Sequence, residues 1–362
     1  MMKKFYFLLL FAFLFLSCNN ANKTKLVFLD EYILADSIQF KNTIIGGLSG
    51  VDFANNQYYF VVDDAESPRI LSANITISDN KIQAVKFKDV IFLADATTNF
   101  YKQNMLDLES IFVDEATNEI YLASEGSIHT NKLPTIFKSD INGLFLEEFQ
   151  LPKNLSNIKT IKHNGAFEAS SKSVDNKGFW VAMEAPLSVD GEEPTFTKTS
   201  SPIRITYFDK ISKKAIKQFA YQLENITKPA KGNVNLNGGT AMLEYKENQF
   251  LIIERTYQNG YGSLGNIIRI FDAIIDHNAT NILEFDALKT SEFIPLKKRL
   301  LFNFEDIKNQ LTDKIIDNIE GITFGPVLPN GNKSLLLVAD DNFQVYGKQL
   351  NQFILLELQT NK

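Results

Sequence analysis

One plan recurs five times along this chain, and it restricts the fold more than any other feature of the sequence. Each copy opens on a small or acidic residue, runs through an apolar strand, a polar turn and a second apolar strand, and closes on an acid. The first copy reads Gly47-Leu48-Ser49-Gly50-Val51-Asp52-Phe53, then Tyr59-Phe60-Val61-Val62-Asp63-Asp64. The second reads Asp107-Leu108-Glu109-Ser110-Ile111-Phe112, then Ile120-Tyr121-Leu122-Ala123-Ser124-Glu125. The third is Ala166-Phe167-Glu168-Ala169 with Phe179-Trp180-Val181-Ala182-Met183-Glu184. The fourth is Gly238-Gly239-Thr240-Ala241-Met242-Leu243 with Phe250-Leu251-Ile252-Ile253-Glu254. The fifth is Asn318-Ile319-Glu320-Gly321-Ile322 with Leu335-Leu336-Leu337-Val338-Ala339-Asp340-Asp341. From opening position to closing acid the spacing is 15, 16, 16, 14 and 20 residues, the last widened by the turn Leu328-Pro329-Asn330-Gly331-Asn332.

Further strand-like runs follow each copy, such as Arg69-Ile70-Leu71 and Val85-Lys86-Phe87 after the first. Four short strands per unit, recurring at intervals of roughly 60 to 80 residues, predict an all-β chain folded as one β-propeller with loop insertions. The last unit lacks a strand after Phe353-Ile354-Leu355-Leu356-Glu357, and the N-terminal run Leu26-Val27-Phe28-Leu29 can supply it. Pairing the chain ends in one blade closes the ring and removes its open edges. Five blades over residues 26–360 account for nearly the whole chain. The alternative is a sixth, degenerate blade between Glu284 and Ile315, although Phe304 to Ile316 reads as a short helix in an insertion.

The N-terminus reads as an export signal. Lys3 and Lys4 precede an apolar run from Phe5 to Leu16. Twelve helical residues would span only about 18 Å of a hydrocarbon core roughly 30 Å thick, so this is a signal core and not a membrane span. Phe15-Leu16-Ser17-Cys18 resembles a bacterial lipobox, with Cys18, the chain's one cysteine, as the lipidated residue. Residues 1–17 are then the signal peptide and 18–25 a polar tether; an ordinary cleaved signal with an incidental Cys18 is the alternative. The expected location is the cell envelope, with membrane contact through the lipid alone. The formal charge of −6 becomes −8 once Lys3 and Lys4 leave, which argues against nucleic acid but not against a local anion site.

Taken in order, Gly-Leu-Ser-Gly at 47–50, Asp-Leu-Glu-Ser at 107–110, Gly-Ala-Phe-Glu-Ala at 165–169, Asn-Gly-Gly-Thr at 237–240 and Asn-Ile-Glu-Gly-Ile at 318–322 carry a family resemblance. Their partner ends are Val-Asp-Asp, Ser-Glu-Gly, Met-Glu-Ala-Pro, Glu-Arg and Ala-Asp-Asp. The set resembles the phytase-like family, labelled for an esterase-like activity of phytase. That resemblance implies an esterase or phosphatase-like property, which the fold alone does not establish.

The repeats place the same chemistry at the same point of every blade. Glu109, Glu168 and Glu320 share one position, and Ser49 and Thr240 take it in the other two copies. Inner strands begin near one mouth of a propeller channel, so these positions are expected to form a ring of oxygen atoms. The closing acids Asp63, Asp64, Glu125, Glu184, Glu254, Asp340 and Asp341 end the antiparallel neighbours and belong at that mouth too. Crowded carboxylates need a counter-charge, and calcium, with six to eight oxygen ligands in flexible geometry, suits a ring drawn from several blades. The expected ligands are Glu109, Glu168, Glu320, Asp63, Asp64 and Asp340; Glu168, Glu320 and Arg255 are the expected residues of catalysis, Arg255 steering an anion. Arg69, Arg204 and Arg269, on third strands, are expected to form salt bridges with the acids. Each acid taken singly also fits a strand-end cap.

No G-x-S-x-G elbow, H-E-x-x-H, P-loop or EF-hand run is present. Of the three histidines only His163 lies near a motif. Two functions from different classes remain: a monomeric calcium-dependent hydrolase of phosphoesters or other esters, acting on a small or polymeric anionic substrate, and a non-catalytic propeller binding a ligand, glycan or protein at the envelope.

Overall fold

A computed structural model describes residues 24–93 and 98–360. The signal segment, Cys18 and most of the tether lie outside the described residues. The strands form five four-stranded antiparallel sheets and one small hairpin, Gln39–Phe40 with Thr43–Ile44. Blade 1 runs outward from Leu48–Ala54 through Gln57–Val62 and Arg69–Ser78 to Lys81–Phe92. Blade 2 holds Leu108–Asp114, Glu119–Ser124, Thr135–Ser139 and Phe145–Glu148. Blade 3 holds Phe167–Lys172, Gly178–Met183, Pro202–Asp209 and Lys214–Gln222. Blade 4 holds Asn235–Lys246, Gln249–Gln258, Asn266–Ile274 and Lys297–Asn303.

Blade 5 is assembled from both ends of the chain. Asn318–Val327, Lys333–Asp340 and Asn351–Gln359 are followed by Lys25–Leu34 as the outer strand. Leu26 faces Leu358 and Phe28 faces Leu356 across the antiparallel pair, so the expected closure by the termini is the one the molecule uses. The inner strands pack against one another in ring order, and five blades complete the circle. The segment weighed as a sixth blade instead contributes the fourth strand of blade 4, Lys297–Asn303. Where a short helix was expected, three 3-10 turns stand at Phe304–Asp306, Lys308–Gln310 and Thr312–Lys314.

The hairpin ends follow from residue type. Asn55-Asn56 and Asp79-Asn80 each form a two-residue turn with both φ angles positive, the geometry that matches strand twist and that Asn and Asp tolerate. The apolar core lies in layers between blades. Val61 and Ile70 of blade 1 meet Ile111 and Leu122 of blade 2, and Leu251 and Ile268 of blade 4 meet Ile319 and Leu337 of blade 5. Near the far ends of the inner strands Lys172 Nζ reaches Asp52 at 2.9 Å. Asp52 also accepts from the Val113 amide at 2.8 Å, tying blades 1, 2 and 3 together.

Candidate functional site

The same irregularity sits in all five inner strands. Pairing with the second strand slips by one residue between Leu48 and Gly50, Leu108 and Ser110, Phe167 and Ala169, Gly239 and Ala241, and Ile319 and Gly321. The extra residue is in each case the ring position: Ser49, Glu109, Glu168, Thr240 or Glu320. A β-bulge bends the strand and re-aims the side chain of the inserted residue. The next residue is always small, namely Gly50, Ser110, Ala169, Ala241 or Gly321. The inner strands nearly touch there: a Cβ on Gly50 would stand 2.8 Å from the Glu109 carbonyl oxygen, and one on Gly321 would stand 2.9 Å from Val51 Cγ1.

The bulges bring Glu109, Glu168 and Glu320 together, with one carboxylate oxygen of each within 4.8 Å of the others and all three residues buried. A second group at the same spacing joins Glu109 to Asp63 and Asp107. Asp107 escaped the sequence reading as a ligand, although it stands two residues before the ring position, where the other copies carry Gly47, Ala166, Gly238 and Asn318. An acid at that offset was the available signal. Ser49 and Thr240 do not offer their protons to the ring: Ser49 donates to the Leu108 carbonyl at 2.6 Å and Thr240 to the Ile319 carbonyl at 2.8 Å, each fastening its blade to a neighbour.

The closing acids divide by role. Asp340 is buried beside the cluster and accepts from the Asn342 amide at 2.7 Å. Asp64 turns away to Arg69 at 2.6 Å. Glu125 accepts from the Gly165 amide at 3.2 Å, capping the entry to blade 3. Glu254 is consumed by Tyr221 at 2.8 Å, Asn237 at 2.7 Å and Lys298 at 2.7 Å. Asp341 accepts from the Gly47 amide at 2.8 Å and so joins blade 5 to blade 1. Arg269 lies 3.7 Å from Glu254, as expected of the third-strand arginines, but Arg204 pairs with Asp190 at 2.6 Å, an acid outside the repeats. His163 and His129 face each other on the surface with ring centroids 3.8 Å apart.

Arg255 is the basic group of the mouth that meets the ring. Its Nη2 stands 3.2 Å from Glu184 and 3.7 Å from Glu320, and Nη1 donates to Asn318. Burial works against its charge, but Glu320, Glu184 and Glu168 raise its pKa further. The carboxyls respond in the opposite sense to their own crowding. Burial pushes Asp63 up to about 8, helped by its hydrogen bond to Asp107 and the charges of Asp107 and Asp64. Burial, opposed by Arg255, leaves Glu320 at about 8, and burial with the Glu184 charge brings Glu125 to about 7. Glu109, Glu168 and Asp340 lie well above the carboxylate range, from burial first and neighbouring acids second. One arginine cannot balance these acids, so the site holds shared protons or takes up a cation. Its donors are all oxygen, which fits calcium or another hard cation and does not fit soft metals.

Five blades around an axial carboxylate cluster define an all-β propeller with an acidic mouth at the face where the inner strands begin. The phytase-like family model, described as esterase-like activity of phytase, matches residues 43–343, and the chain belongs to that family. No curated protein matches. Among solved structures, a thermostable family-43 glycoside hydrolase aligns at 9% identity and a TM-score of 0.48, covering 88% of this chain and 91% of that one. The catalytic domain of a Coprinopsis cinerea GH62 α-L-arabinofuranosidase aligns at 12% identity and a TM-score of 0.43, covering 91% and 96%. An exo-β-1,3-galactanase from Phanerochaete chrysosporium aligns at 8% identity and a TM-score of 0.44, covering 92% of this chain and 64% of that one. Similarities this shallow say nothing about activity.

Proposed function

We propose that this protein is a lipid-anchored propeller of the cell envelope that binds calcium at Glu109, Glu168 and Glu320 and hydrolyses phosphoesters or other esters of an anionic substrate. The observation that carries the proposal is the convergence of three buried carboxylates within 4.8 Å of one another, raised above their usual pKa and faced by a single arginine. Glu109, Glu168 and Glu320 would hold the cation, with Asp63, Asp107 and Asp340 beside them. A bound cation supplies Lewis-acid polarisation and acidifies water. Arg255, whose Nη atoms meet Glu184, Glu320 and Asn318, is the cationic group at the cluster that would meet a phosphate or carboxylate oxygen. Glu168 and Glu320 stand in this cluster beside Arg255, so a carboxylate oxygen that the cation does not engage would serve as general base next to an anion held by Arg255.

The second reading, a non-catalytic binding propeller, is favoured by how many of the mouth acids are spent on structure, since Asp64, Glu125, Glu254 and Asp341 all bond within the scaffold. Thermal shift of the soluble domain with calcium and with chelator, together with turnover of a panel of phosphoesters and carboxyl esters, separates the readings. Calcium-dependent stabilisation with turnover supports the hydrolase. Stabilisation without turnover supports the binding propeller, and no calcium effect removes the cation site.

A further inference from the structure

We propose that the hydroxyls of Ser110 and Ser170 are cation ligands, completing from inside the channel the site that the three glutamates form at its mouth. The inference rests on the cation site proposed above and adds to it two residues to which the sequence reading gave no role. Three carboxylates giving one oxygen each leave a calcium ion short of the six to eight oxygens it takes. Beneath them lies a cavity of about 10 Å³, lined by residues of all five inner strands, among them Gly50, Ser110, Glu168, Ser170, Glu320 and Gly321. That is room for one sphere the size of a water molecule.

Both hydroxyl oxygens are buried with no hydrogen-bond partner among the described residues, and Ser110 is only 5% exposed. Ser49 and Thr240, one position earlier on their strands, do find carbonyl acceptors in the next blade. The repeats make the two serines more telling. At the position of Ser170 the other four blades carry Val51, Ile111, Met242 and Ile322, so a hydroxyl here replaces an apolar side chain. At the position of Ser110 packing asks only for a small residue, and Gly50, Ala169, Ala241 and Gly321 meet that need without one. Two departures from the repeat, in adjacent blades, fall on residues that line one small cavity beneath the glutamates. A neutral hydroxyl is a good ligand for a hard cation and a poor one for a soft metal.

Isothermal titration of the chelator-treated protein with calcium chloride, on the parent, Ser110→Ala, Ser170→Val and the double variant, tests the inference. Ser170→Val installs the residue type of the equivalent blades and should fold, with the β-sheet spectrum as control. The double variant is expected to bind the same number of ions with a Kd raised roughly tenfold or more, and to show a smaller calcium-induced rise in Tm. A parent-like Kd in the folded double variant would overturn the inference and leave the hydroxyls bound to water alone. A parent that binds no calcium would overturn the glutamate site and this inference together.

Discussion

Glu109 and Glu320 are separated by 211 residues of chain, yet their carboxylates lie within 4.8 Å of each other across the channel axis. Each is the inserted residue of a β-bulge, which re-aims its side chain. Exchanging either for an isosteric amide removes a buried charge without changing the packing. Glu109→Gln and Glu320→Gln are therefore expected to keep the β-sheet spectrum, to lose the calcium-induced rise in Tm, and to lose ester hydrolysis with it. Unfolding of both variants, with no calcium effect in the parent, would make these acids structural.

Stability without calcium should fall as the pH rises. The folded-state pKa values of Asp63 and Glu320, about 8, and of Glu125, about 7, lie above those of unfolded carboxyls, so the native state binds more protons than the unfolded state between about pH 4 and 8. The stabilising protonation is lost as the pH climbs through that window. In chelator, Tm should decline from pH 5 to pH 8.5; with excess calcium the decline should flatten, because the cation takes the place of the protons. A Tm that rises over this range in chelator would contradict the assignment.

Arg204 and Asp190 form a bidentate pair with both side chains fully buried. Arg204→Met strands a buried carboxylate and should cost about 3–5 kcal/mol by denaturant titration. The pair belongs to blade 3 and its loop, so calcium affinity of the folded fraction should not change.

Deleting residues 1–34 would uncover the whole outer edge of Asn351–Gln359, a strand with an apolar, buried run of side chains. An exposed apolar edge is a template for pairing between chains. The truncated protein should aggregate or sediment as higher oligomers, whereas a soluble, cooperatively folding product would show that the closure is dispensable.

Cys18→Ala, at a position outside the described residues, tests the anchor proposed from the sequence. The variant should leave the membrane fraction and lose metabolic labelling with fatty acid. An unchanged membrane fraction would refute lipidation at this residue.

Much of the architecture was legible because strand patterns are local. Alternating and continuous apolar runs report which strands are buried, and five copies of one plan report how many blades there are. The last strand of blade 4 was missed for the same reason: Lys297-Lys298-Arg299-Leu300-Leu301-Phe302-Asn303 lies at an outer edge, follows a loop of 22 residues (275–296), and presents a charged, half-exposed pattern. Repeat register also marked Glu109, Glu168 and Glu320 as equivalent. What it could not supply was direction. Whether a side chain meets the axis, a neighbouring blade or a salt bridge depends on a bulge of one residue and on the rotation between blades, neither of which leaves a local pattern. Tertiary structure therefore decided that Asp107 joins the cluster while Asp64 turns to Arg69, that Ser49 and Thr240 bond the next blade, and that Ser110 and Ser170 are buried without a partner among the described residues beside one small cavity, because contact across a ring is set by the closure of the whole ring.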